Sequence, residues 1–179
     1  KVCVAISRDR GKTWVYKKAV FTGFDGMRDP VDPDIQLLPD GTFRLYVTSG
    51  DPAGLARTYY AEGTDGLHFT KKGVAFTPPA GEALDPSTVR IGGTWHLFCG
   101  GSPGSNRHAT SADGKTYTFV EEKVILKDGV GQLMANGIAV PGGYRFYTFD
   151  SMPLVKDGPS RINSVFTTDG VTFAVDADG

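Results

Sequence analysis

The sequence predicts an all-β fold, a β-propeller built of four-stranded antiparallel blades. Two observations lead to this prediction. A turn containing Asp and Gly recurs along the chain, and its glycines follow one another at intervals of 55, 48 and 56 residues (Gly11, Gly66, Gly114 and Gly170). Each interval holds four short strand patterns and no helical periodicity, and four strands in about fifty residues is the size of one propeller blade.

Composition supports this fold and argues against several kinds of partner. The 179 residues include 24 glycines and 11 prolines, too many for a helical protein, and they are spread along the chain. The net charge is −1 and no basic stripe is present, which argues against nucleic acid and anionic membranes as partners. No apolar run approaches the ~20 residues that cross a bilayer. The three histidines have no metal-ligand spacing, so no metal or other cofactor is expected.

Taken in order, the chain yields about three and a half blades in one propeller domain or fragment, residues 1–179. Residues 1–22 carry only the two outer strands of a first unit, joined by the turn Ser7–Trp14. Three complete units follow at residues 32–77, 84–127 and 133–176. A propeller needs about four blades to close its ring. We therefore expect a fragment of a longer protein, or closure by association with a second copy through open sheet edges.

Each of the first two complete units opens on an Asp-Pro pair, Asp32-Pro33 and Asp85-Pro86. Aligned on their hairpins, the two units bring Asp32 and Asp85 into register at the start of the inner strand, the strand that lines the channel of a propeller. Two such carboxylates ~6.5–9.5 Å apart leave room for a water molecule and a sugar, as in inverting glycoside hydrolysis. The alternative is that Asp-Pro only opens the turn into each strand.

These residues resemble a known family. The segment from Asp32 to Tyr46, together with Leu84-Asp85-Pro86-Ser87, is similar to the five-bladed propeller glycoside hydrolases, which include arabinanases, β-xylosidases and arabinofuranosidases. Through Arg28-Asp29-Pro30 the similarity extends to the invertase and levansucrase group. The turn Ser7–Trp14 also resembles the Asp-box of sialidases, a folding turn on the outside of a blade. The resemblance implies a carbohydrate substrate and a secreted or periplasmic location.

In that family three carboxylates on successive inner strands act as base or nucleophile, as orienting group and as general acid. When the family's roles are transferred to the matching positions, the resemblance implies that Asp32 is the base and Asp85 the orienting carboxylate. The third unit should then offer a glutamate near residues 132–136, but it has Gln132, Met134, Ala135 and Asn136. Glu82 is the substitute candidate for the acid, with a solvated loop glutamate as the alternative; a further blade is the other possible source.

The candidate substrate-binding residues surround these positions: Arg28, Asp29, Asp34, His108 and Asn136. Arg28 can pair with a sugar hydroxyl or a substrate carboxylate, or else form an ordinary salt bridge. His108 follows the glycine-rich segment 100–104, and such loops lie near the channel mouth, although a simple connector explains the glycines equally well.

Three functions remain open at this point. The chain can be an O-glycosyl hydrolase, a non-catalytic propeller that binds carbohydrate or protein, or a self-assembling propeller fragment. Fold alone does not choose among them.

Overall fold

Every regular element of the described chain is a β-strand. The computed structural model describes residues 2–101, 104–151 and 161–176. Within these ranges no helix is long and apolar enough to pass through a membrane. The all-β prediction is confirmed.

The N-terminal segment forms a hairpin and then crosses to the next sheet. β1 (Cys3–Ile6) and β2 (Val15–Lys18) pair antiparallel as a separate two-stranded sheet. The sequence predicts one continuous strand from Val15 to Phe21, but the structure interrupts it at the buried Ala19, whose N–H donates to the Val2 carbonyl. After this point β3 (Val20–Thr22) leaves the hairpin and lies parallel to the outermost strand of the first complete blade.

Three larger sheets form the blades, and the successive strands of each blade pair antiparallel. Blade 1 contains β4 (Val31–Leu37), β5 (Phe43–Gly50), β6 (Ala56–Gly63) and β7 (His68–Phe76). Blade 2 contains β8 (Leu84–Ile91), β9 (Thr94–Gly100), β10 (Ser105–Ser111) and β11 (Thr118–Val124). Blade 3 contains β12 (Leu126–Lys127), β13 (Val130–Val140), β14 (Gly143–Asp150), β15 (Ile162–Thr167) and β16 (Ala174–Val175).

The long inner strands of the three blades lie around a common cavity. β8 contacts both β4 and β13, and the three strands together line a space of about 440 Å³. Its polar lining comes from all three blades: Asp34, Gln36, Thr88, Arg90 and Asn136. Inner strands that surround one cavity are the arrangement of a propeller channel.

Packing between blades is carried by side chains at repeated positions. Tyr46 of blade 1 and Phe98 of blade 2 occupy the same register position, and each is 0% exposed. The Asp-Gly turn of blade 2 packs on blade 1, where the Tyr46 hydroxyl donates to the Gly114 carbonyl at 2.6 Å. Gly114 has a φ of 70°, and a Cβ there would lie 2.9 Å from the Tyr46 hydroxyl oxygen, so this contact requires glycine.

Candidate active site

Both Asp-Pro pairs form a β-bulge at the start of an inner strand. The pairing of β4 with β5 shifts register between Val31 and Asp34, and the pairing of β8 with β9 shifts between Leu84 and Ser87. Bulges of this kind bend the strand and change the direction of a side chain, and they are frequent next to active sites.

The aspartate of each pair has a left-handed backbone. The φ angle is 52° at Asp32 and 51° at Asp85. Asp is one of the few non-glycine residues that tolerates this region, and its occurrence at equivalent positions of two blades indicates a shared local constraint. Asp32 is half-buried and Asp85 is exposed at the entrance to β8.

The charge of Asp32 acts on the carboxyl group of Asp85. The pKa of Asp85 is raised, first by partial burial of its carboxyl group and second by the negative charge of Asp32. The backbone N–H of Asp85 donates to Thr48 Oγ1 of blade 1 at 3.2 Å. Since Thr48 pairs with Val31, this bond brings the leading aspartates of adjacent blades near one another, at the starts of β4 and β8.

Blade 3 has no carboxylate at the matching position. Asn136 pairs with Tyr147 in the register that Ser87 and Phe98 occupy in blade 2, and Leu133 pairs with Phe149 as Leu84 pairs with Gly100. The pair Met134-Ala135 thus stands where the other blades have Asp-Pro. Met134 is 1% exposed and packs in the core between blades 2 and 3.

Asp34 links two blades in the wall of the channel. This buried carboxylate accepts hydrogen bonds from the Thr88 backbone N–H at 3.0 Å and from the Thr88 hydroxyl. Desolvation raises its pKa to about 6, and these hydrogen bonds oppose the rise. Asn136 lines the same cavity from blade 3 and is exposed. Both candidate binding residues therefore border the channel, with Asp34 already bound to Thr88.

Arg28 and Asp29 lie on the approach to the first bulge. The Ser49 hydroxyl donates to the Arg28 carbonyl at 2.6 Å, which fixes the backbone three residues before Val31. Both side chains are exposed. Asp29 also lines a second cavity of about 460 Å³, between the N-terminal segment and the loop before β4.

Glu82 lies on the loop between blades 1 and 2. Its Oε1 accepts the Ala56 backbone N–H at 3.0 Å, so the carboxylate anchors this loop to the start of β6. The residue is exposed and stands three positions before Asp85 in the chain.

His108 is placed differently from the sequence prediction. It lies within β10 instead of a loop, and it is 1% exposed. Its ring stacks on Phe98 with centroids 4.6 Å apart, and its Nε2 lies 3.0 Å from Nδ1 of His96. A ring enclosed in this way is part of the buried packing of blade 2 and is not open to a sugar, so the expectation that it lies at the mouth is corrected.

Two residues beside the bulges carry no sequence signal. Thr48 and Gly100 sit at matching positions of β5 and β9, opposite Val31 and Leu84. A Cβ at Gly100 would lie 3.9 Å from Asp85 Oδ2, an ordinary van der Waals distance, so this position borders the Asp85 carboxylate without requiring glycine. Only the register across the bulges identifies this pair of positions.

Comparison with solved structures supplies the fold assignment. A family 117 glycoside hydrolase of the marine bacterium Zobellia galactanivorans aligns with 90% of this chain and 73% of its own, at a TM-score of 0.61 and 16% identity. A thermostable family-43 glycoside hydrolase aligns over 93% of this chain and 61% of its own, at a TM-score of 0.67 and 13% identity. The fold is that of the propeller glycoside hydrolases.

The same propeller also occurs in a protein whose stated activity is different. An N-acetylgalactosamine deacetylase from F. plautii, solved with blood group B trisaccharide, aligns over 96% of this chain and 59% of its own, at a TM-score of 0.65 and 14% identity. The chain spans 59% to 73% of the length of these three proteins. No family model matches the sequence, and no curated protein matches it.

Proposed function

We propose that this propeller acts on a glycosidic bond at the channel mouth, with Asp32 as general base and Asp85 as the carboxylate that orients the sugar. The observation that carries the proposal is the pair of matching bulges, which present two interacting carboxylates from adjacent blades. A base in this position takes a proton from the attacking water as that water adds to the anomeric carbon.

Glu82 is the candidate for the general acid. It lies on the loop that enters blade 2 just before Asp85, and its Oε1 is held by the Ala56 N–H. The proton for the leaving oxygen would therefore be carried on Oε2. Glu82 would thus supply the acid that blade 3 lacks, since Met134 stands there in place of a carboxylate.

A panel of aryl glycosides tests the proposal. We expect the protein to release the aryl group from at least one member, with arabinosides, xylosides and fructosides as the first choices. Glu82→Gln should slow the substrates with poor leaving groups more than those with good ones, because only the former need an acid. Absence of turnover on every member would reject the proposal.

Carbohydrate binding without hydrolysis is the second candidate, and the burial of Met134 at the third position favours it. Calorimetric titration with oligosaccharides separates the two functions. Binding that persists in Asp32→Asn, with no turnover by the unmodified protein, would support the binding module.

We further propose that the face of blade 3 that points away from blade 2 associates with a second copy of the chain. Tyr147 of this face is 45% exposed, whereas Tyr46 and Phe98 at the matching positions are fully covered by the next blade. Ile162, on the neighbouring strand, is also exposed. An uncovered sheet face with aromatic and aliphatic side chains favours association.

Light scattering after size-exclusion chromatography measures this association. The expected mass is at least twice that of the chain, and Ile162→Glu should reduce it to a single copy. Val74→Glu, at an exposed position of blade 1, is the control and should leave the mass unchanged. A single-copy mass for the unmodified protein at all concentrations would contradict the proposal.

A further inference from the structure

Thr48 lies at the point where the two bulges meet. It belongs to β5, is 1% exposed, and pairs with Val31 directly before the Asp32 bulge. Its Oγ1 accepts the backbone N–H of Asp85 from the next blade at 3.2 Å. One side chain, on the strand that pairs with the Asp32 strand, therefore connects blade 1 with the bulge that carries Asp85.

The backbone of Asp85 needs such a support. A non-glycine residue with a φ of 51°, followed by Pro86, is in a sparsely populated conformation, which persists only where the surroundings hold it. Within blade 2 the residue that matches Thr48 is Gly100, which has no side chain to contribute. The bond that holds Asp85 thus comes from the neighbouring blade.

We propose that the hydroxyl of Thr48 is a positioning group that holds Asp85 beside Asp32. This inference rests on the proposed function, since the distance between the two carboxylates matters only if both face the same sugar. Thr48 itself is buried behind the bulges and takes no part in proton transfer. Its role is to fix the backbone of Asp85, so that the carboxylate stays near Asp32.

Three variants separate the hydroxyl from the shape of the side chain. Thr48→Val keeps the shape and removes the acceptor oxygen, whereas Thr48→Ser keeps the oxygen and removes a methyl group. Thr58→Val is the matched control, because Thr58 pairs with Thr48 across the sheet and is equally buried. Among the described residues its hydroxyl has no hydrogen-bond partner, so that substitution breaks no bond.

The readout is the pKa of the Asp85 carboxyl group, followed by carbon-detected NMR in the full chain. We expect Thr48→Val to lower this pKa toward the ordinary aspartate value, since the group becomes better hydrated and more distant from Asp32. Thr48→Ser and Thr58→Val should leave it raised. An unchanged pKa in Thr48→Val, or an equal decrease in Thr48→Ser, would overturn the proposal.

Turnover adds a second and independent readout. If the protein hydrolyses a glycoside, Thr48→Val should lower kcat by on the order of 10- to 100-fold through misplacement of the carboxylate, and Thr48→Ser should restore most of the rate. If no hydrolysis is found, the proposed function fails, but the NMR comparison still decides whether Thr48 positions Asp85. A Thr48→Val protein that does not fold is replaced by Thr48→Ala, for which the same pKa decrease is expected.

Discussion

Replacing Asp32 by asparagine is expected to lower kcat/KM for the best aryl glycoside by about 10²- to 10⁴-fold, the usual contribution of a general base. Asparagine is chosen because it also tolerates the left-handed backbone that Asp32 adopts at a φ of 52°, so the bulge should survive. The amide cannot accept the proton of the attacking water. Asp85→Asn should also reduce the rate, because the sugar loses its orienting carboxylate.

Two controls, a surface substitution and a measurement of glycan binding, show whether the effect of Asp32→Asn is specific to the chemical step. Asp40→Asn alters an exposed carboxylate in the hairpin turn at the far end of β4, and it should leave kcat/KM unchanged. Asp32→Asn should retain oligosaccharide binding measured by calorimetry, since the chemical step is what it removes. Equal rates for Asp32→Asn and the unmodified protein would remove Asp32 from the mechanism.

Stability is expected to fall as the pH drops from about 7 to about 4, because of the buried histidine pair. Burial, and then the nearby His96, lower the pKa of His108 to about 4, and burial lowers that of His96. The unfolded chain has a histidine pKa of ~6.5, so between these values it binds a proton that the folded chain excludes. For His108 alone, the loss in the free energy of unfolding is about 2 kcal/mol at pH 5 and about 3 kcal/mol near pH 4.

The charged groups around the pair determine the size of this effect. His108 Nδ1 lies 3.6 Å from Glu121, which is itself paired with Lys123 at 2.7 Å, and the charge of Asp169 acts on His96.

Urea unfolding at pH 7.5 and pH 5 measures the loss in the free energy of unfolding. Because Asp34 has a raised pKa and contributes with the opposite sign, the comparison is made with His108→Gln, whose stability should depend less on pH over this range. Identical pH dependence in both proteins would contradict the assignment.

The repeat made the fold predictable from the sequence. The Asp-Gly turns are local features, and their regular spacing reports the blade size without any long-range information. Asp32 and Asp85 were predictable for the same reason, since each stands at the start of a repeated hairpin. The absence of a carboxylate in blade 3 also follows from alignment of the hairpins, and the register of Met134 agrees with it.

Contacts between strands and between blades were not predictable in this way. His108 follows a glycine-rich segment that looks like an extended loop, yet strand β10 begins at Ser105 and carries the ring into the core. The residues next to Thr48 in the sequence do not mark it as special. Its role depends on a hydrogen bond to a residue 37 positions away in another sheet, which no local pattern reveals. The sequence predicts that Asp34 binds substrate, and its hydrogen bonds to Thr88 could not be predicted because Thr88 lies on the inner strand of the next blade.

The proposed function depends on the Asp32 and Asp85 carboxylates lying close together at the channel mouth. A single titration tests their interaction directly. The pKa of the Asp85 carboxyl group is followed by NMR in the unmodified protein and in Asp32→Asn. We expect a lower Asp85 pKa in the variant, because a negative charge that raises it has been removed. An identical Asp85 pKa in the two proteins would mean that the carboxylates do not share a site.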